Sequence, residues 1–253
     1  MADFDVLCLQ EVAVNYPRLD GGAGFDQAAR LRELLPGFQV CFGAAVEERG
    51  RSGERQRFGN LIASRLPVAQ VSHHSLPYPA DAGVRSMPRM CTVATLVTPL
   101  GPIRVMTTHL EFYSKPQRLA QARALLDLHT QACAHAAAPP QDDETGMPFQ
   151  NKVHTRSAIL CGDFNFEATN AEYALIQAAP AHGASRLGDP WELLHGKQAQ
   201  TPTFRVHDRR YGPVPIACDF VFVSDDLAPR VRRVDVNLPT KVSDHQPVLL
   251  ELG

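Results

Sequence analysis

Four short stretches place acid, amide or imidazole side chains beside apolar runs. They are Leu7-Cys8-Leu9-Gln10-Glu11, Val105-Met106-Thr107-Thr108-His109, Ile159-Leu160-Cys161-Gly162-Asp163-Phe164-Asn165, and Ser243-Asp244-His245 ahead of Val248-Leu249-Leu250. The apolar runs read as buried strands. A strand end is a rigid mount for a reacting side chain. Glu11, Asp163 and Asn165 offer oxygen donors, the class that Mg²⁺ and Mn²⁺ prefer. Such an ion can bridge a phosphate oxygen and stabilise a leaving oxyanion. Asp244-His245 supplies a general base or an oriented imidazole. Asp219, within the run Ile216–Val223, is the natural partner for the second ring nitrogen. His109 can donate to phosphoryl oxygens as charge builds on them. There is no Ser or Cys nucleophile motif and no G-x-x-x-x-G-K-[ST] loop, so the attacking group is read as water.

Singly, each stretch has an ordinary structural reading. Glu11 would be a loop carboxylate, Asp244-His245 a surface or capping pair, Gly162–Asn165 a turn, and His109 a satisfied core histidine. The ordered set points instead to one metal-dependent phosphoester site.

The elements that must hold these residues can be read along the chain. Phe4–Leu9 reads as a strand that Glu11 ends. Residues 25–35 carry helical spacing, stopped by Pro36-Gly37. Phe38–Phe42 reads as a short strand, and the charged stretch Glu47–Arg57 as a surface loop. Phe58–Ser64 and Pro67–Ser75 are strands, and Pro77–Pro88 is a loop. Met90–Thr98 and Ile103–Thr108 flank Pro99-Leu100-Gly101-Pro102, a hairpin signal. Ser114 caps a helix whose first turn holds Pro116 and whose apolar face is Leu119, Ala122, Leu126 and Cys133. Gln141–His154 is polar and reads as a mobile insertion. Ser157–Cys161 is a strand, and Thr169 or Asn170 caps a helix through Gln177. Residues 180–201, with Trp191, read as irregular. Ile216–Val223, Arg230–Val236 and Pro247–Leu252 complete the strands. Hairpins mixed with helices between strands indicate a layered α/β domain on a mixed sheet.

The totals are compatible with this. The chain has 253 residues, 44% of them hydrophobic, enough for a sizeable core. A net charge of −2 argues against a dedicated nucleic-acid binder, although a bound cation can supply local positive charge to a nuclease. The six cysteines form no C-x-x-C pair, and Cys8, Cys161 and Cys218 sit in apolar runs. That usage suggests a reducing, cytoplasmic setting. No apolar stretch is long enough to span a bilayer, and the N-terminus lacks secretory signal features. Arg205, Arg209, Arg210, Arg230, Arg232 and Arg233 would line a polyanion path or a solvated face.

The ordered series resembles the endonuclease/exonuclease/phosphatase superfamily, the DNase I-like proteins, over nearly the whole chain. Leu9-Gln10-Glu11-Val12 is similar to that family's metal-binding Glu strand. Phe58-Gly59-Asn60-Leu61-Ile62-Ala63-Ser64-Arg65 resembles its GN-x-x-x-SR strand. Thr108-His109-Leu110 matches its mid-chain histidine, and Gln117-Arg118 with Gln121 the helix start that follows. Gly162-Asp163-Phe164-Asn165 is the most specific block, and Cys218-Asp219-Phe220 and Ser243-Asp244-His245 close the set.

The resemblance implies a four-layer α/β sandwich of two packed mixed β-sheets flanked by helices, as one domain. It implies Mg²⁺- or Mn²⁺-dependent hydrolysis of a phosphoester. By that analogy Glu11, Asp163, Asn165 and Asp244 serve the metal, and Asp163 and Asn165 position water or a second ion. His245 braced by Asp219 acts on the phosphate or the water. His109 holds the phosphate, and Asn60 and Arg89 lie on the substrate side. The family opens with a further strand and a metal-proximal Asn before the Glu strand. The expectation is that these are missing here, leaving unpaired backbone and apolar edges. A start set downstream of the natural one is the favoured reading; a chain that folds but binds metal poorly is the other.

The fold hosts nucleases, sphingomyelinases, inositol-phosphate phosphatases and deadenylases, so it does not settle the substrate. A phosphodiesterase or nuclease is preferred. A phosphomonoesterase of a small molecule or lipid headgroup is the alternative, and a catalytically silent phosphate-binding module is an alternative of another class. No stable protein partner can be inferred.

Overall fold

A computed structural model describes residues 4–19, 25–141, 145–149, 152–180 and 183–253. Three strands, β1 (Val6–Val14), β2 (Gln39–Arg49) and β3 (Arg55–Ser64), form an antiparallel sheet in the order β1-β3-β2. The predicted loop over Glu47–Arg57 is instead mostly strand. Glu47, Glu48 and Arg49 pair with Arg57, Gln56 and Arg55, leaving only residues 50–54 to turn. Charge there signals solvent-facing strand ends, and the Arg55–Glu47 ion pair sits on them.

Glu11 does not end β1. The strand runs on to Val14, and its register against β3 slips by one residue between Leu9 and Val12. Glu11 lies in that bulge with φ of 59°. A bulge re-aims a side chain that the regular pleat would send elsewhere. The β2–β3 register slips at the same level, between Ala44 and Val46. Gly59 lies between the two irregularities, where a Cβ would come within 1.9 Å of the Gly43 carbonyl oxygen. No other residue fits that approach.

The second sheet has six strands: β4 (Val68–Ser75), β5 (Met90–Thr98), β6 (Gly101–His109), β7 (Ala158–Asp163), β8 (Leu187–Gly188) and β9 (Asp219–Ser224). Their order is β4-β5-β6-β7-β9-β8. Only β6 and β7 are parallel. Their crossover carries α2 (Lys115–Ala137), whose cap Ser114 accepts from the Gln117 amide. β10 (Val231–Val236) and β11 (Val248–Leu252) form a separate antiparallel pair.

The four layers follow from which faces are apolar. Helix α1 (Gln27–Leu34), capped by Asp26, packs Ala28 and Leu31 on Val12, Val14, Leu61 and Ala63 of the small sheet. Ile62 on the other face meets Ala94, Leu96 and Val105 of the large sheet. The large sheet's outer face, with Met106 and Leu160, packs on Ala122 and Leu125 of α2 and on Ile176 of α3 (Ala171–Ile176). The sandwich is therefore helix, sheet, sheet, helix.

The face of α2 differs from expectation at one end. Ala122, Leu126 and Cys133 are buried, but Leu119 is exposed. Gln117, Arg118, Gln121 and His129 turn inward, because each fastens a neighbouring element by hydrogen bonds. Residues 180–201 are also more ordered than expected. They hold β8 and α4 (Pro190–His195), with Asp189 capping the Trp191 amide and Trp191 buried. Residues 181–182 lie outside the described residues, as do 142–144 and 150–151 of the predicted insertion.

The last strand is not a fully buried run. Its burial alternates, and among the described residues it pairs only with β10. Among the strands of the described residues β1 likewise pairs with β3 alone, with one further bridge from Val14 to Asp26. β1 lies over β6 and β7, and β11 lies over β9. Ile159 and Cys161 of β7 are only half-buried.

Candidate active site

Sheet register brings three of the expected residues into one row. His109 at the end of β6 pairs with Asp163 at the end of β7, and Asp163 pairs with Asp219 at the start of β9. Their side chains therefore stand next to one another at one end of the large sheet. The turn after β7 is pinned from below by Phe164 and Phe166, which are buried with Phe220 and Phe222. Full burial of a phenylalanine contributes about 1.5–3 kcal/mol, so Asp163 and Asn165 flank a firm anchor. At Gly162 φ is +142°, and a Cβ would lie 2.0 Å from the Thr108 carbonyl oxygen.

His245 arrives from the segment before β11. Its Nδ1 is 2.9 Å from Asp219 Oδ2, and its ring stacks on Phe204 with centroids 4.4 Å apart. Thr203 donates its hydroxyl to the same Asp219 oxygen. His245 Nε2 then faces Asp163 Oδ2 at 3.8 Å, and His109 Nε2 lies 3.4 Å from that oxygen. Asp163 Oδ1 accepts the Asn165 backbone amide. Asn165, at φ of 52°, commits its side-chain nitrogen to the Leu110 carbonyl, which leaves its oxygen to the site. Glu11 joins from the bulge, with Oε1 3.9 Å from His109 Nδ1.

Electrostatics separates these groups. Burial, then repulsion from Asp219, pushes Asp163 up to about 7, against the pull of His245. For His245, burial works to lower the imidazole, but the hydrogen bond to Asp219 and the carboxylates of Asp219, Asp163 and Asp244 outweigh it. The result is about 9. His109 is held well below its ordinary value by burial and by the charges of Arg89 and His245. It is a neutral imidazole. The Glu11 carboxyl is raised by partial desolvation and by Asp244. Asp244 is half-buried and acts on both Glu11 and His245 through its charge.

Asn60 and Arg89 lie beside this row. With His109 they line one small cleft that also includes Phe58, Met87 and Met90. Asn60 donates to the Met90 carbonyl. Arg89 Nε donates to Glu111 Oε2, while its buried Nη1 has no partner. The arginines expected as a polyanion path are divided. Arg210 is paired with Asp208, and Arg233 with Asp235.

Of the groups that brace this row, sequence reasoning reached Arg118 and Gln121 only through the family resemblance and gave Glu111 no role. Glu111 is fully buried, binds Arg89 and accepts the Tyr113 amide. Gln121 accepts the Glu111 amide. Arg118 pairs with Glu172 and donates to the carbonyls of Glu111 and Phe112. For Glu111 the available signal was its place two residues after His109.

The chain matches one family description, Endonuclease/Exonuclease/phosphatase, over residues 1–245. The chain belongs to this family. Endonuclease/Exonuclease/phosphatase proteins are phosphoester hydrolases, and they typically use divalent metals, so membership supports that class of enzyme here. Solved structures carry the same fold at low identity. A mannosyl-6-phosphatase from Bacteroides thetaiotaomicron VPI-5482 aligns with a TM-score of 0.63 at 20% identity, covering 99% of this chain and 86% of that one. Truncated Caenorhabditis elegans TDP2 aligns at 0.60 and 17%, covering 96% and 82%. The human Nocturnin catalytic domain aligns at 0.59 and 18%, covering 98% and 80%. No curated protein matches the chain in sequence. Among the described residues, no helix is long and apolar enough to cross a membrane.

Proposed function

We propose that this chain is a divalent-metal-dependent phosphoesterase that hydrolyses a phosphodiester by attack of water, with nucleic acids among the substrates to test. The observation that carries this reading is the row His109–Asp163–Asp219 closed by His245.

The donor set fits a hard divalent ion. Desolvation, and after it the charge of Asp244, raises the Glu11 carboxyl, a cost that a bound cation would relieve. Carboxylate and amide oxygens are the ligands that Mg²⁺ and Mn²⁺ take. Glu11, Asp244, Asp163 and Asn165 would hold it. When bound, such an ion neutralises charge on phosphate and leaving oxygens.

The protein's own groups divide the proton work. Without a cation the Asp163 carboxyl lies near neutral; a bound cation would lower it and leave Asp163 a carboxylate placed to orient or accept a proton from water. His245 stays protonated at neutral pH and presents Nε2–H to a phosphoryl or leaving oxygen, while Asp219 fixes its ring. Pairs of titratable groups pushed apart in this way mark acid and base roles. Neutral His109 can donate to a phosphoryl oxygen without competing for the proton. The unpartnered Nη1 of Arg89 is a buried donor that a phosphate oxygen would satisfy. All six cysteines are free, which supports a cytoplasmic setting.

The likeness to a mannosyl-6-phosphatase favours one other reading, a monoesterase. Turnover of bis(p-nitrophenyl) phosphate and of p-nitrophenyl phosphate, each with Mg²⁺, with Mn²⁺ and with chelator, separates the readings. Metal-dependent release from the diester supports the proposal. Release from the monoester alone replaces it with the monoesterase. Phosphate binding without turnover of either leaves the silent binding module.

A further inference from the structure

The hydrolytic roles leave one polar group of the site without work. Cys218, directly before β9, is buried under the row, with its Sγ 3.6 Å from Asp219 Oδ2. A carboxylate oxygen of Asp163, the Cys218 Sγ and a ring nitrogen of His245 all lie within 4.8 Å of one another. Among the described residues this is the one trio of metal-ligating side chains so close together.

A hard ion gains nothing from the sulfur. Thiolate, imidazole and carboxylate together are the donors that zinc takes. We propose that Asp163, Cys218 and His245 form a binding site for a thiophilic divalent cation, Zn²⁺, and that its occupation switches the active site off.

Bonds of about 2.0–2.3 Å in a tetrahedral shell put ligand atoms roughly 3.3–3.8 Å apart. The trio reaches that spacing by small side-chain rotations inward. Ligation through His245 Nε2 would keep the Nδ1 contact with Asp219, the usual carboxylate backing of a zinc-bound histidine. Binding expels the thiol proton of Cys218 and any proton on the His245 ligand nitrogen or Asp163 into solvent, and no electron moves. Three protein ligands leave a fourth position for water or phosphate. Both proton-handling groups of the proposed reaction would then be occupied by the ion.

The binding half of this inference stands without the phosphoesterase reading; only the inhibition half rests on it. Co²⁺ serves as the optical probe, titrated into the metal-free full chain. The expected result is a thiolate-to-cobalt charge-transfer band in the near ultraviolet, displaced by Zn²⁺. That band should vanish in Cys218→Ala and in the near-isosteric Cys218→Ser, but persist in Cys8→Ser. Where the diester is hydrolysed, Zn²⁺ should inhibit the wild-type chain at least tenfold more strongly than either Cys218 variant, each compared with its own Mg²⁺-dependent turnover in the absence of Zn²⁺. No band in the wild type, or a band that survives Cys218→Ala and Cys218→Ser, overturns the site. Equal Zn²⁺ inhibition of wild type and variants overturns the switch. Cobalt binding without hydrolysis of the diester or the monoester in any condition would sustain the site while removing the phosphoesterase reading.

Discussion

Replacing Asp163 by Asn should stabilise the metal-free fold while removing activity. The carboxyl has an ordinary value of 3.8 and is pushed up to about 7 by burial and by Asp219. Below 3.8 it is protonated in the folded and the unfolded chain alike, and nothing is lost. As pH rises from there, the unfolded chain ionises first, and the folded state carries a growing cost that is complete above about 7. At ~1.4 kcal/mol per pH unit that gap amounts to about 4 kcal/mol. The carboxylate also supports the His245 imidazolium, and losing that support takes back part of the gain. About 2 kcal/mol remains. Asn keeps an oxygen for the Asn165 amide, so the turn is preserved. Urea melts in chelator at pH 8 should show Asp163→Asn more stable by that amount, with the gain more than halved by pH 5. Activity should fall by roughly 10²–10⁴. A variant less stable than wild type at pH 8, or a gain indifferent to pH, would refute the electrostatic reasoning.

Further outcomes follow from the same geometry. Asp219→Asn removes the partner that holds His245 near 9, so the imidazole should titrate back toward 6.5, read by NMR of the ring protons. Arg118→Met leaves the buried Glu172 carboxylate unpaired and two carbonyls unbound; urea melts should show a loss of about 3–5 kcal/mol. Gly162→Ala drives a Cβ to 2.0 Å from the Thr108 carbonyl oxygen and should destabilise the chain by more than about 2 kcal/mol, read as a lowered Tm.

The letters of the candidate site were legible because two of them, His109 and Asp163, close apolar strands and a third, Asp219, opens one. His109, Asp163 and Asp219 belong to β6, β7 and β9, and neighbouring strands deliver them to one row. The β5–β6 hairpin and the capped α2 were legible for the same local reasons. What escaped was set by tertiary context. Glu11 looked like a strand terminus, because a bulge leaves no mark in the sequence when its residue is not glycine. The charged β2–β3 turn read as loop, since solvent-facing strand ends tolerate Glu and Arg. Glu111 carries a polar letter yet sits in the core, because it is matched by Arg89, distant in sequence. Leu119 fitted the apolar stripe and points to solvent. A six-residue α4 is too short for periodicity to reveal.

The most direct test of the central claim is hydrolysis of bis(p-nitrophenyl) phosphate across a Mg²⁺ and Mn²⁺ titration, with wild type, Asp163→Asn and His245→Ala side by side and folding verified for each. The account predicts saturable, chelator-sensitive turnover in the wild type and a loss of about 10²-fold or more in both variants. Turnover that needs no metal, or that survives either substitution, would contradict it.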